Sequence, residues 1–177
     1  MISYAGIGSR TTPPHILEQM REIAALCAQK GFVLHSGGAS GADSAFEIAH
    51  KGAGGCCKIF LPWKNHNSNN SVLYPPHPRA FEIARQYHPC FGKLLKTVQP
   101  FIARNMHQIL DETLDRPVRF VVCYTPNGQE TSAEYTKESG GTGSAINVAD
   151  SYNVPVFNLR NIGRYEDVLE FIDMIKE

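Results

Sequence analysis

The chain lacks a charge excess of either sign, because 17 lysines and arginines balance 17 aspartates and glutamates over 177 residues. A neutral chain is a poor general binder of polyanions, which argues against tight non-specific binding to duplex DNA. Long apolar runs are also missing, and the N-terminus is already strand-like at Ile2 to Ile7, with no basic segment before it. We therefore expect no membrane span, no signal peptide and a cytoplasmic location.

Cysteine is scarce and follows no motif. The five cysteines are odd in number, and no pair has the two-residue spacing of zinc and redox motifs. Cys27 and Cys123 lie within apolar patterns, as small core residues do. The spacing predicts no disulfide framework, no metal site and no Ser/His/Asp triad, and we expect no cofactor.

The chain does contain a regular alternation of β-prone and amphipathic segments, and 42% of its residues are apolar. This pattern predicts an α/β fold, a Rossmann-like three-layer sandwich with a mostly parallel sheet of about five strands, in a single domain over residues 1–177. The expected strands are 2–7, 32–35, 58–61, 118–124 and 154–158. The expected helices are one between Pro14 and Gly31, then 42–51, 79–87, 93–110, 142–152 and 165–176.

A long polar segment from Trp63 to Pro78 interrupts the alternation with four asparagines and three prolines. Loops of this length in a compact domain are usually functional or disordered. Trp63 and Tyr74 can either stack on a base or pack at a rim. Lys64, Asn65 and Asn67 are candidates for polar ligand contacts.

Two glycine-rich segments each follow a strand and precede a helix. The first runs from Ser36 to Asp43, and the second from Ser139 to Ser144. Glycines let a ligand approach the main chain, and amides at a helix start favour phosphate. Each segment also fits a plain capped turn. Both are expected at the same edge of the sheet, which favours the binding interpretation.

A third turn at that edge, Gly6 to Arg10, brings an arginine suited to forked recognition of phosphate or carboxylate. A solvated arginine is the alternative. The predicted ligand-binding residues are Gly8, Ser9, Arg10, Ser36, Gly37, Gly38, Ala39, Asp43, Arg104, Asn105, Gly140, Gly141, Thr142, Gly143 and Ser144.

These segments carry a family resemblance. Ser36 to Asp43, followed by Ala49-His50, resembles the SGxAxGxD…AH signature of DNA-processing protein A (Smf). Gly140 to Ser144 resembles the PGGxGTxxE signature of the LOG phosphoribohydrolases. Both families belong to the SLOG superfamily, and Gly6 to Arg10 is similar to its first phosphate-side loop. The layout resembles small phage and bacterial proteins labelled DprA-like. The resemblance implies a Rossmann-like fold and a nucleotide ligand, and leads us to expect a homo-oligomer with the 93–110 helix at the interface.

The chain departs from the LOG pattern at three points. Asn147 stands where that family has its catalytic glutamate, and an amide cannot act as a general base. Ser139 replaces a proline, and the segment around Arg104 matches the LOG arginine only loosely. These departures argue against LOG-type release of a base and leave phosphate binding by backbone amides untouched.

Chemistry at an N-glycosidic bond would need a carboxylate near the ribose. Asp43 and Glu47 are the catalytic candidates, because a four-residue spacing puts them on one face of a helix. Asp43 fits a helix cap equally well, and Glu47 a solvated position. Glu134 and Glu138, in the loop before the second glycine-rich segment, are weaker candidates.

Three functions follow from these residues. The leading hypothesis is a binder that senses or sequesters a nucleotide or an ADP-ribose-like small molecule. The second is a LOG-like hydrolase or transferase acting on a nucleoside monophosphate or an NAD-derived substrate. The third, less favoured because the chain is short and neutral, is binding of single-stranded DNA through a local patch. The residues of that patch would be Lys93, Lys96, Arg104, Arg116 and Arg119.

Overall fold

Five short strands pair side by side in one parallel sheet in the computed structural model, which describes residues 1–175. Its strand order is β3-β2-β1-β4-β5. The strands after β1 are added on one side of it up to β3 and on its other side from β4 onward, so a topological switch point lies between β1 and β4. The predicted parallel sheet of about five strands is confirmed. The strands are β1 (Ser3–Gly6), β2 (Val33–Ser36), β3 (Cys57–Ile59), β4 (Phe120–Cys123) and β5 (Val156–Asn158).

Helices cover both faces of the sheet, which confirms the predicted three-layer sandwich. They are α1 (Pro14–Gln29), α2 (Ala42–Gly52), α3 (Pro78–Tyr87), α4 (Gln99–Leu110), α5 (Gly140–Ser151) and α6 (Arg164–Met174). One apolar cluster joins α1, α2 and α6 to the sheet, and a second joins α3, α4 and α5 to the other face. The predicted end of the last helix, Lys176, lies outside the described residues.

Successive side chains of a strand point to opposite faces of the sheet, and this alternation supplies residues to both apolar clusters. In β1, Tyr4 points into the first cluster and Ala5 into the second; in β4, Phe120 and Val121 divide in the same way. Cys27 and Cys123 are fully buried, as predicted. Among the described residues, no helix combines the length and apolar character that a membrane crossing requires.

Two predicted helix starts were wrong by two residues or more, and the strand ends differ from the prediction by at most two residues. The helix expected over 93–110 begins at Gln99, and Phe91–Lys93 forms a separate 3₁₀ helix. Pro100 explains the late start, since proline fits only the first turn of a helix. The glycine-rich segment at Gly140 is the first turn of α5 itself rather than a loop before a helix at Thr142.

Candidate functional site

A cavity of about 550 Å³ lies at the carboxyl ends of the strands. In open α/β sheets, ligands commonly bind at this end, next to the switch point. Both glycine-rich segments and the Gly8–Arg10 turn contribute to its wall, so the predicted convergence of these segments occurs. The predicted ligand residues that line it are Gly8, Ser9, Arg10, Ala39, Asp43, Arg104, Asn105, Gly140, Gly141 and Thr142. Those outside the lining are Ser36, Gly37, Gly38, Gly143 and Ser144.

The turn after β1 is held by two hydrogen bonds at Ser9. Ser9 donates its amide N–H to the Tyr124 carbonyl oxygen over 3.1 Å, and its own carbonyl accepts the Thr12 hydroxyl over 2.7 Å. These bonds fix the turn between β1 and β4 and leave the exposed Arg10 side chain at the cavity.

The first residues of the Ser36–Asp43 segment have structural roles and do not line the cavity. The Ser36 hydroxyl donates to the Gly6 carbonyl over 2.7 Å, which ties the first two strand ends together. Gly37 leaves room for an arginine, because a Cβ there would lie 1.2 Å from Nη1 of Arg104. Gly38 has a φ of +66°, in the left-handed region that glycine favours.

A buried ion pair forms the floor of the cavity. Nη1 of Arg104, on α4, lies 3.3 Å from Oδ2 of Asp43, on α2, and the two side chains are only 6% and 5% exposed. Oδ2 also accepts the Ala39 amide N–H over 3.3 Å. Burial raises the pKa of Asp43 and lowers the pKa of Arg104, and each charge partly offsets the shift of the other.

Arg104 is only partly satisfied by this pair. Within residues 1–175, its buried Nε atom has no hydrogen-bond partner. Arg104 also borders a second cavity of about 210 Å³, and Tyr74 is among the residues that line it. A buried guanidinium with unused donors at a cavity wall is suited to an anionic ligand.

The first turn of α5 presents main-chain amides to the cavity. The N–H groups at a helix start have no partners within the helix, so Gly141 and Thr142 are available donors. The turn is fixed from outside by Asn105, whose side-chain amide donates to the Gly141 carbonyl over 2.9 Å. Ser144 also donates to that carbonyl, over 2.8 Å, so its hydroxyl serves the helix.

The candidate carboxylates divide into two that lie away from the cavity and two that line it. Glu47 does not line the cavity; its carboxylate accepts bonds from Lys51 Nζ at 2.6 Å and from Asn69 Nδ2 at 2.9 Å. Glu134 caps a 3₁₀ helix, and bonds from the Glu130 and Thr131 amides lower its pKa. Asp43 and the exposed Glu138 line the cavity.

Asn147 has a structural role. Its amide donates to the Tyr87 carbonyl over 2.9 Å, and its oxygen accepts Gln129 Nε2 over 2.8 Å. It is 7% exposed and is not part of the cavity wall. The position that matches the LOG catalytic glutamate therefore links α5 to α3 and to the loop after β4.

Sequence reasoning missed one wall of the cavity, formed by His66, Val98, Phe101 and Ile102. Trp63 does not line the cavity, but its ring centroid lies 4.9 Å from that of Phe101 and 5.2 Å from that of His66. Asn67 reaches the wall, whereas Lys64 and Asn65 do not. The signal that could have found this wall is the pairing of Trp63 with His66 in a loop otherwise rich in asparagine.

The proposed basic patch is not assembled as expected, while the expected homo-oligomer stays a prediction. Arg104 is buried at the carboxyl ends of the strands, whereas Arg119 precedes β4 and lies at their amino ends. In α4, residues 102–110 are all buried within this chain, whereas Pro100 and Phe101 in its first turn are half-buried. Within residues 1–175, no group of three or more side chains could hold a metal ion.

No protein-family model and no curated protein matches the chain. A solved structure of DNA processing protein A from Helicobacter pylori, described as having a unique single-stranded DNA binding mode, is similar to it. The TM-score is 0.53 at 19% identity, over 96% of this chain and 72% of that chain. At this identity the likeness concerns the fold. It bears out a fold like that of DNA-processing protein A, while membership of the SLOG superfamily stays a prediction.

Proposed function

We propose that the cavity binds the phosphate of a nucleotide or an ADP-ribose-like ligand, and that the protein senses or sequesters this ligand. The observation that carries the proposal is the convergence of three strand-end segments on one cavity, with Arg10 at its wall and Arg104 at its floor. Main-chain amides at Gly141 and Thr142, together with two guanidinium groups, form an anion site of the kind found at helix starts.

The carboxylates at the cavity favour binding over cleavage. Asp43 is committed to Arg104 and to the Ala39 amide, and the Glu138 side chain is exposed to solvent rather than held in a fixed position. Asn147 is held away from the cavity by Tyr87 and Gln129. A glycosidase would need a carboxylate free to act beside the ribose.

Isothermal titration calorimetry with AMP and with ADP-ribose tests the binding proposal. Saturable binding of either ligand, at a stoichiometry of one per chain, is the expected result. If neither binds at millimolar concentration, the phosphate site is rejected.

Chromatography of the same mixtures after prolonged incubation separates binder from enzyme. We expect both ligands to be recovered intact. Free adenine or ribose 5-phosphate, released at a rate that Asp43→Asn abolishes, would favour the LOG-like hydrolase instead. NAD is incubated separately in the same way, because the second hypothesis also allows an NAD-derived substrate.

Single-stranded DNA binding is a second candidate, favoured by the likeness to a protein described as binding such DNA. The backbone of a strand carries the same phosphate chemistry as a nucleotide. Fluorescence anisotropy with a labelled oligo-dT at low salt tests it, and a strand bound in the same cavity should be displaced by AMP. Binding that salt weakens but AMP does not would indicate a different surface.

A further inference from the structure

Three aromatic rings meet at one side of the cavity. The centroids of His66 and Phe101 are 5.2 Å apart with planes at 78°, and Trp63 meets them at 85° and 77°. These edge-to-face contacts are the geometry that aromatic rings prefer. His66 and Phe101 line the cavity, while Trp63, 43% exposed, packs against both from outside the lining.

The loop that carries two of these rings is held in an uncommon conformation. Asn65, Asn67 and Ser68 all have left-handed backbones, with φ between 52° and 58°. Asn67 donates to the Gly38 carbonyl over 3.0 Å, which fastens the loop to the glycine-rich segment. Observed backbone strain of this kind is concentrated at functional sites.

The aromatic wall and the anion-binding groups are near each other. His66 and Phe101 line the same cavity as Arg10 and Arg104. Desolvation lowers the pKa of His66, and the two guanidinium charges lower it further. Val98 and Ile102 extend the wall with apolar surface. A nucleotide whose phosphate contacts the arginines therefore has aromatic surface in the same cavity for the base at the other end of its ribose.

We propose that Phe101 and His66, supported by Trp63, form a stacking subsite for the nucleobase of the ligand. This inference rests on the proposed phosphate site and deepens it, because it assigns the residues that would contact the base. Planar bases stack on aromatic rings without strict sequence demands. The base can belong to a free nucleotide or to single-stranded DNA, and in both cases it would stack on the same aromatic rings.

The test compares ligands that differ only in the base. AMP is measured against ribose 5-phosphate, and oligo-dT against an abasic strand of equal length. Stacking predicts that the base improves affinity roughly five- to 150-fold. Preference within the first pair identifies a free nucleotide, and preference within the second pair alone identifies a strand. Trp63 is the chain's one tryptophan, so its fluorescence should change with the base-bearing ligand more than with the baseless one.

The variants Phe101→Leu and Trp63→Leu test whether these aromatic rings contribute to the affinity for the base. Each should reduce the affinity ratio between base-bearing and baseless ligands, and Phe101→Leu should bring it close to one. Tyr152→Leu is the matched control, since Tyr152 is also 43% exposed and borders a different cavity at the amino ends of the strands. It should keep the wild-type ratio.

The outcomes separate the two proposals. If ribose 5-phosphate binds as tightly as AMP, and the abasic strand as tightly as oligo-dT, the base subsite is rejected and the phosphate site stands. A ratio that Phe101→Leu and Trp63→Leu leave unchanged, in variants whose circular dichroism is wild-type, also rejects this subsite. If no ligand binds, the phosphate site fails and the base subsite fails with it.

Discussion

Arg104 and Asp43 form an ion pair that is almost wholly closed to solvent, with Nη1 of the arginine 3.3 Å from Oδ2 of the aspartate. The pair joins helices that lie on opposite faces of the sheet, since α2 belongs to one apolar cluster and α4 to the other. It passes the carboxyl end of β2 at Gly37. The floor of the cavity is therefore also a link between the two outer layers of the sandwich.

Breaking this pair should destabilise the protein strongly. Arg104→Met leaves the Asp43 carboxylate buried without its cation, for which we expect a loss of about 3–5 kcal/mol in the free energy of unfolding at neutral pH. The double variant Arg104→Met/Asp43→Asn should recover part of that loss, because no buried charge remains. Urea denaturation measures both, and equal losses in the single and double variants would contradict the argument.

Arg10 offers a test of binding that is separate from stability. Arg10 is exposed, so Arg10→Ala should leave the urea midpoint nearly unchanged. Loss of a charge-assisted hydrogen bond to phosphate should weaken AMP binding about 10- to 100-fold, as titration calorimetry would show. Arg119→Ala, an exposed arginine at the other end of the sheet, serves as the control and should bind AMP like the wild type.

Gly37→Ala should disturb the site through a steric overlap. The new Cβ would lie 1.2 Å from Nη1 of Arg104, so the guanidinium must leave its position beside Asp43. We expect a loss of about 1–3 kcal/mol in the free energy of unfolding, typical of overpacking, together with weaker AMP binding. Gly52→Ala, where no atom lies within 4 Å of the added Cβ, should change neither quantity much.

The affinity for phosphate should depend on His66 below neutral pH. In the free protein, desolvation, Arg104 and Arg10 all lower the pKa of His66. A bound anion offsets the two positive charges, so the pKa of His66 in the complex lies above that in the free protein. The complex then holds more protons than the free protein between these two values, and affinity rises as pH falls through that window.

Calorimetry of AMP binding across this pH range measures the effect. The phosphate itself titrates near pH 6, and Glu138 also lines the cavity, so the comparison is made with His66→Gln. This variant keeps the phosphate and Glu138 and removes only the imidazole. Identical pH profiles for His66→Gln and the wild type would show that His66 takes no part.

The sheet could be predicted from the sequence because each strand is a short, mainly apolar run that ends at a glycine-rich or polar turn. Val118 to Tyr124 and Ile2 to Ile7 are examples, and their central residues became β4 and β1. The helix boundary before Gln99 was missed because the apolar spacing of 93–98 suited a helix, while the constraint set by Pro100 was overlooked.

The part of the cavity lining that follows strand ends at glycine-rich turns could be predicted from the sequence. The part whose position depends on tertiary contacts was missed. Glycines at 37 and 143 looked like ligand contacts, but they make room for Arg104 and for the Ser139 and Gln129 side chains. The wall containing His66 depends on left-handed backbones in the asparagine-rich loop, which asparagine permits and the sequence does not specify.

The two hydrogen bonds of Asn147 limit how this protein could acquire LOG-type chemistry. Asn147→Glu would place a carboxylate, which has no N–H, against the Tyr87 carbonyl oxygen that the amide now serves. Two acceptors would then face each other in a buried position, and the new acid would be expelled or would weaken the contact between α5 and α3. A route to that activity would therefore require remodelling the α3–α5 junction first, so one codon change at this position is not enough.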